Sequence, residues 1–231
     1  MNDSERFKWE AGEAAARLVR SGDLVGLGSG STVRYFLEAL GRELAAGKLV
    51  DVSGVPTSKR TEDLARALGI PLVELPAEGV DLAVDGADEI SPALDAIKGL
   101  GGALAREKIV AAAAHRFVLV ADGSKRVERL GERAPVPVEV LSFGWKRTAA
   151  LLKSLGCEPV LRGGVVEPFA TDNGNLVLDC VLEAGFDAPA FAAAADGVPG
   201  VLGHGLFLGM AHEALVAGSG GVISLRSPQS P

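Results

Sequence analysis

Residues 23–40 read DLVGLGSGSTVRYFLEAL, and the fold is decided in this stretch. Asp23 to Gly28 form a short apolar run of the kind buried as a strand, and it empties into a glycine loop, Gly26 to Thr32. Beyond the loop, Val33, Phe36, Leu37 and Leu40 recur at i, i+3, i+4 and i+7, which is one face of a helix. Strand, glycine turn and helix in direct succession are the opening unit of a layered α/β structure. The glycines let backbone approach a ligand closely, and the N–H groups opening the helix favour an anion. Ser29, Ser31 and Thr32 add hydroxyl donors. The same residues would also suit a tight turn in which a Ser or Thr caps the helix. A dinucleotide fingerprint does not fit, because Ser31 stands in place of the third glycine and Asp51 precedes the second strand instead of ending it. No Gly-Lys-Ser/Thr follows, so the loop is not a nucleotide P-loop.

The alternation continues on both sides. Glu5 to Val19 form an Ala-rich charged helix that ends at Ser21-Gly22. A strand at Val52–Val55 leads to a helix with Thr61, Leu64, Ala65 and Leu68 on one face, closed by Gly69 and Pro71. Strands at Leu82–Val84 and Phe117–Val120 flank a glycine-rich loop and a helix, Ala103–Ala114. This rhythm predicts a mostly parallel, Rossmann-like sheet with helices on both faces and ligands beyond the carboxyl ends of the strands.

From Gly131 the rhythm changes. Pro135 to Val140 is extended and punctuated by proline, and a helix spans Gly144–Leu155. Two strands meet across Asp172-Asn173-Gly174, where Asn-Gly signals a hairpin. A helix at Pro189–Asp196 and a strand at Val201–Phe207 follow. Alternating apolar strands, Ala214–Ala217 and Val222–Leu225, return to the first pattern before a polar tail expected to fray. The organisation expected is an α/β domain of residues 1–130 and 208–231, with a smaller α+β domain of residues 131–207 inserted.

Composition narrows the function. The chain of 231 residues carries a formal charge of −7, so it lacks the basic footprint of a nucleic-acid or anionic-membrane binder. An anionic ligand must be held by a few local donors. Cys157 and Cys180 are too few for a disulfide framework, and His115, His204 and His212 are scattered, so no metal site is expected. No basic segment followed by an apolar one opens the sequence, and no apolar run reaches about 18 residues. A reducing, cytoplasmic setting is expected.

Three further segments carry candidate chemistry. In Asp81-Leu-Ala-Val-Asp85-Gly86-Ala87-Asp88-Glu89 an apolar strand empties into acids. Such acids are ordinarily solvated turn residues. Here Asp85 ends the strand at the crevice beside small residues, where a carboxylate can exchange hydroxyl protons. Lys98-Gly99-Leu100-Gly101-Gly102 needs special dihedrals or close ligand approach, and opens a helix whose buried stripe is read as Leu104, Ala105, Lys108, Ile109 and Ala112. Glu107 falls off that stripe, either as a surface acid at a helix N-terminus or as a base aimed into the crevice. Lys125, in Ala121-Asp-Gly-Ser-Lys125, follows another apolar strand as a surface lysine or a phosphate contact.

Taken in order, GLGSGST, VDGADEI, KGLGGALAREK, ADGSK, PVPVEV and TDNGN resemble type A ribose-5-phosphate isomerase across about residues 8 to 180. The resemblance implies interconversion of D-ribose 5-phosphate and D-ribulose 5-phosphate without a cofactor. It also implies assembly as homo-oligomers, with a homodimer expected and a homotetramer as the alternative. Ser29, Gly30, Ser31 and Thr32 match the family's phosphate-side loop, and Asp85, Gly86, Ala87 and Asp88 its sugar-binding acid loop. Lys98, Gly99, Leu100 and Gly101 match its Lys-Gly loop, Glu107 its base, Lys125 its late basic contact and Lys8 an N-terminal lysine near the phosphate. Ser29 stands where Thr is common, and Leu100 interrupts a run usually written as glycines. The implied mechanism has Glu107 move a proton between C2 and C1 through a cis-enediolate. Lys98 then stabilises the oxyanion, and Asp85 handles hydroxyl protons and ring opening. A metal-assisted hydride shift is the competing route, and the sequence has no ligand cluster for it. Two other readings stay open: a deaminase or isomerase of amino-sugar phosphates on the same sheet, and a non-catalytic sugar-phosphate sensor. The intact Glu107 and the lack of a DNA-binding segment weigh against the sensor.

Overall fold

A computed structural model of the chain describes residues 2–183 and 185–226. Helix α1 (Asp3–Ala16) and strand β1 (Leu24–Leu27) are followed by α2 (Ser31–Ala45), β2 (Ser53–Pro56), α3 (Lys59–Ala67) and β3 (Val80–Gly86). Two short strands, β4 (Glu89–Ile90) and β5 (Ala96–Ile97), precede α4 (Leu104–Ala112) and β6 (Ala114–Asp122). Next come β7 (Val136–Val140), α5 (Trp145–Lys153), β8 (Glu158–Leu161), β9 (Leu176–Val181) and α6 (Ala188–Asp196). The chain closes with β10 (Val201–His204), β11 (Leu206–Phe207), β12 (Glu213–Gly218) and β13 (Gly221–Arg226). The polar tail beyond Arg226 lies outside the described residues.

The chain divides into two units. One contains the residues up to Ala87, Arg106–Lys125 and those from Gly209 on; the other contains Asp88–Ala105 and Arg126–Leu208.

The first unit is built on a six-stranded sheet in the order β13-β12-β6-β3-β1-β2. Every pairing from β2 to β12 is parallel, and β13 runs antiparallel at the edge. Strands covered on both faces must be apolar throughout, and Val25, Leu27, Val84, Val118 and Val120 are accordingly buried. Phe36, Leu37 and Leu40 of α2 enter the same core, as their spacing requires. Gly12 lets α1 lie close on α2, for a Cβ there would sit 2.6 Å from the Phe36 nitrogen. From β1 the chain goes by way of α2 to β2 on one side, while β3 lies on the other. That reversal opens a crevice at the carboxyl ends of β1 and β3.

The second unit holds the antiparallel sheet β10-β7-β9-β8 and the small sheet β11-β5-β4. Its core gathers Val136, Val138, Val140, Leu178 and Cys180 with Leu152, Phe191 and Ala195 of the helices. Three features differ from the reading of the sequence. Residues 88–105 and 126–130 belong to this unit, because their hydrogen bonds are made here: Asp88 N to Ile97 O at 2.8 Å, and Val127 N to Ile90 O at 3.0 Å. The single strand expected over Val201–Phe207 breaks at Gly205 into β10 and β11, which join different sheets. Glycine is required at that crossing, since a Cβ would meet the Lys98 carbonyl at 2.1 Å. The Asn173-Gly174 turn forms, with Gly174 at φ 79° and its N–H on Thr171 O. It closes only the Ala170–Leu176 bridge, while β8 reaches β9 after a longer loop.

Among the described residues no helix is long and apolar enough to cross a membrane, and no three His, Cys, Asp or Glu side chains are grouped to hold a metal. Both cysteines are free thiols.

Candidate active site

The crevice begins where β1 ends. Gly28 continues the parallel ladder by donating to Val84 O at 2.9 Å, which sets it beside Asp85 of β3. A Cβ on Gly28 would fall 2.2 Å from Asp85 Oδ1, so only glycine admits the buried carboxylate there. Asp85 Oδ1 accepts from Ser29 N at 2.9 Å and Gly86 N at 2.7 Å. The acid loop and the glycine loop are thus joined by backbone N–H donors to one carboxylate oxygen.

Gly30 is the N-cap of α2 at φ 115°, and no side chain caps that helix. The Ser or Thr cap considered from sequence is therefore absent, and α2 opens without a side-chain cap, an arrangement that suits an anion. Ser29 is a correction. Its hydroxyl, expected to face a ligand, turns into a group of buried hydroxyls, with Ser58 Oγ at 2.8 Å, Thr57 Oγ1 at 3.0 Å and Thr61 Oγ1 at 3.1 Å.

Helix α4 also differs from expectation. Ile109 is 59% exposed and Ala112 is exposed, while Leu104, Glu107, Val110 and Ala111 are buried. Glu107 therefore lies on the inner face, at 5% exposure, instead of beside it. The contact that turns the helix this way is Val110 against β1, where a Cβ on Gly26 would meet Val110 Cγ1 at 2.5 Å. Because β6 starts two residues after α4 ends, the helix runs antiparallel to the strands. Glu107 stands about 4.5 Å further toward the carboxyl ends than Val110, at 1.5 Å per helical residue. Gly28 stands about 6.6 Å beyond Gly26 in the same direction, at 3.3 Å per strand residue. Glu107 and the Gly28–Asp85 pair thus both lie toward the carboxyl ends of the strands from the Val110–Gly26 contact.

Lys8 Nζ pairs with Glu5 Oε1 at 2.9 Å, and Glu5 Oε2 accepts from Tyr35 OH at 2.6 Å and Arg34 at 3.3 Å. Hydrogen bonds from Tyr35 and then Lys8 hold the Glu5 carboxyl below its ordinary pKa. Lys8 is thereby fixed to residues in the opening turns of α2. Lys125 ends a short 3-10 turn, Gly123–Lys125, just past β6, and is half-buried. The neighbouring Asp122 shapes that turn by accepting from Ser124 N at 2.9 Å.

In the second unit Asp88 Oδ2 accepts from Leu100 N at 2.9 Å, tying the acid loop to the Lys-Gly loop. Gly99 and Gly102 take positive φ, 104° and 82°, whereas Leu100 does not. The departure at Leu100 is accommodated because its backbone lies where any residue can go. Lys98 is buried, with Nζ 5.2 Å from the centre of the Phe207 ring. Sequence reasoning missed Arg162, whose Nη1 donates to the carbonyls of Gly99 and Leu100, each at 3.0 Å. Its Nε and Nη2 grip Asp179 at 3.0 and 2.5 Å, a fork that lysine cannot form. No local pattern marks a loop arginine as the partner of carbonyls 63 and 62 residues away. Of the remaining acids, Asp81 holds Leu24 N at 2.8 Å, remote from the crevice. Glu89 is a buried anchor for the N–H groups of Gly131, Arg133 and Ala134, at 2.7, 2.6 and 2.8 Å.

Fold and geometry define a doubly wound α/β protein whose switch point carries an uncapped helix N-terminus and two buried carboxylates. A family model for ribose 5-phosphate isomerase A (phosphoriboisomerase A) matches residues 53–221. The ribose-5-phosphate isomerase A of Roseiflexus castenholzii is 53% identical over 232 residues, covering 99% of this chain and 98% of its own length. That of Deinococcus radiodurans is 48% identical, covering 96% and 99%. Among solved structures, the ribose 5-phosphate isomerase from Plasmodium falciparum superimposes with a TM-score of 0.93 at 37% identity, covering 97% of this chain and 99% of that one. A D-ribose-5-phosphate isomerase in complex with phospho-erythronic acid also gives 0.93 at 37% identity, covering 98% and 100%. The chain belongs to the ribose 5-phosphate isomerase A family.

Proposed function

We propose that this protein interconverts D-ribose 5-phosphate and D-ribulose 5-phosphate by proton transfer through a cis-enediolate, without a cofactor. The observation that carries the reading is Glu107, an acid buried on the inner face of α4, the helix whose Val110 packs against Gly26 of β1. Moving a carbonyl from C1 to C2 removes a proton from C2 and delivers one to C1. A single carboxylate, Glu107, takes the first and returns the second. Asp85, held in place by the N–H groups of Ser29 and Gly86, receives and returns hydroxyl protons and assists ring opening. The phosphate lies on the N–H groups of Gly30, Ser31 and Thr32, with Lys125 and Lys8 supplying charge. Lys98 stabilises the enediolate oxygen, with Gly86, Ala87, Asp88, Gly99, Leu100 and Gly101 binding the sugar; these roles rest on their match to the family's motifs. A homodimer and a reducing, cytoplasmic setting complete the reading, the latter supported by two free thiols.

Glu107→Gln tests it. The substitution keeps size and hydrogen bonding but removes basicity, so turnover should fall at least about 10²–10⁴-fold while KM changes little. Solvent deuterium should enter C1 of the product made by the parent enzyme, because the carboxylate exchanges its proton with water. Near-normal turnover by the variant, with no label at C1, would reject Glu107 as the base.

A further inference from the structure

The hydroxyls that capture Ser29 form a closed circuit. Ser29 Oγ donates to Ser58 Oγ at 2.8 Å, Ser58 Oγ to Thr61 Oγ1 at 3.0 Å, and Thr61 Oγ1 to Gly28 O at 2.8 Å. The circuit returns to the peptide from which it began. Thr57 Oγ1 lies 3.0 Å from Ser29 Oγ and donates to Leu27 O at 3.0 Å. Each of the four hydroxyls therefore spends its one proton once, and both carbonyls entering the glycine loop are held. Ser58 is also the N-cap of α3, accepting from Thr61 N at 3.1 Å. Thr57, Ser58 and Thr61 are all buried, so these bonds form away from competing water, and such chains strengthen cooperatively.

A serine or threonine cap on α3 requires only Ser58. Nothing in helix formation asks for three hydroxyls turned onto the loop of a different helix. We propose that Thr57, Ser58 and Thr61 are positioning residues for the anion site, fixing the Leu27–Ser29 backbone so that the N–H groups after it converge on the phosphate. This rests on the reading that the phosphate lies at residues 30–32. The three residues touch no substrate; they act through Ser29 and the carbonyls of Leu27 and Gly28.

The test is Thr61→Val, which keeps shape and removes the hydroxyl, with Thr61→Ser as the conservative rescue. Inhibition by inorganic phosphate and KM for ribose 5-phosphate are measured with kcat. Thr61→Val should raise both the phosphate inhibition constant and KM by about 5–30-fold, the scale of one or two hydrogen bonds. It should leave kcat within about threefold, since binding and not the proton transfer is affected. Thr61→Ser should restore both constants. If Thr61→Val does not fold, Ser58→Ala opens the same circuit one link earlier and is read in the same way. A loss of kcat and melting temperature with both constants unchanged would assign the cluster a purely structural role and overturn the proposal. Ser31→Ala and Lys125→Ala separate the two ideas. If they weaken phosphate inhibition while Thr61→Val does not, positioning fails and the site stands; if none of the variants affects it, the site itself is wrongly placed.

Discussion

Gly28→Ala is the sharpest test of how the crevice is built, because its consequence can be worked out from distances. The added methyl carbon would lie 2.2 Å from Asp85 Oδ1, 2.3 Å from Cγ and 2.6 Å from the Asp85 Cα. The last of these is backbone in the middle of a parallel sheet, so a rotamer change by Asp85 cannot relieve the clash. Overpacking of this kind costs about 1–3 kcal/mol. Pushing the carboxylate away from Ser29 N and Gly86 N adds about 1.5–3 kcal/mol for charge-assisted bonds. A sum of roughly 2.5–6 kcal/mol corresponds to a melting temperature lowered by roughly 5–24 °C in a chain of this size. Gly218→Ala is the control, since nothing lies within 4 Å of a Cβ there and its φ is ordinary. It should change stability by no more than about 0.5 kcal/mol. Thermal unfolding of both variants, followed by circular dichroism beside isomerase kinetics, decides the matter. If Gly28→Ala melts within about 2 °C of the parent and keeps its kcat/KM, the carboxylate is not packed on Gly28 and the argument from close approach is wrong.

Two further outcomes are expected. Lys125→Ala should weaken binding of ribose 5-phosphate and inorganic phosphate by about 1.5–3 kcal/mol, read as KM and inhibition constants; unchanged values would make Lys125 a solvated surface residue. Arg162→Lys should lower kcat/KM by about tenfold or more, because one ammonium cannot hold Asp179 and two carbonyls together. Equal activity of Arg162→Lys and parent would show that the Gly99–Leu100 turn keeps its shape without the fork.

The sequence alone determined the strand–loop–helix order of the first unit, because periodicity and glycine punctuation act over a few residues and do not depend on partners. The helical face of Val33, Phe36, Leu37 and Leu40 and the strand of Asp23–Gly28 were legible for that reason, as were the motifs that mark the family. Tertiary structure decided what depends on a neighbour from elsewhere in the chain. The rotation of α4 is the clearest case: hydropathy favours burying Ile109 and exposing Glu107, but Val110 fits the gap over Gly26, and that contact turns Glu107 inward and leaves Ile109 in solvent. Ser29 reads as a ligand donor until Thr57, Ser58 and Thr61 arrive beside it from the turn after β2 and from α3. The break at Gly205, the anchoring of Glu89 and the grip of Arg162 on Gly99 and Leu100 are likewise set by pairings across tens of residues. Local pattern selects the elements, whereas close packing and the need to satisfy buried polar groups select which face each element presents.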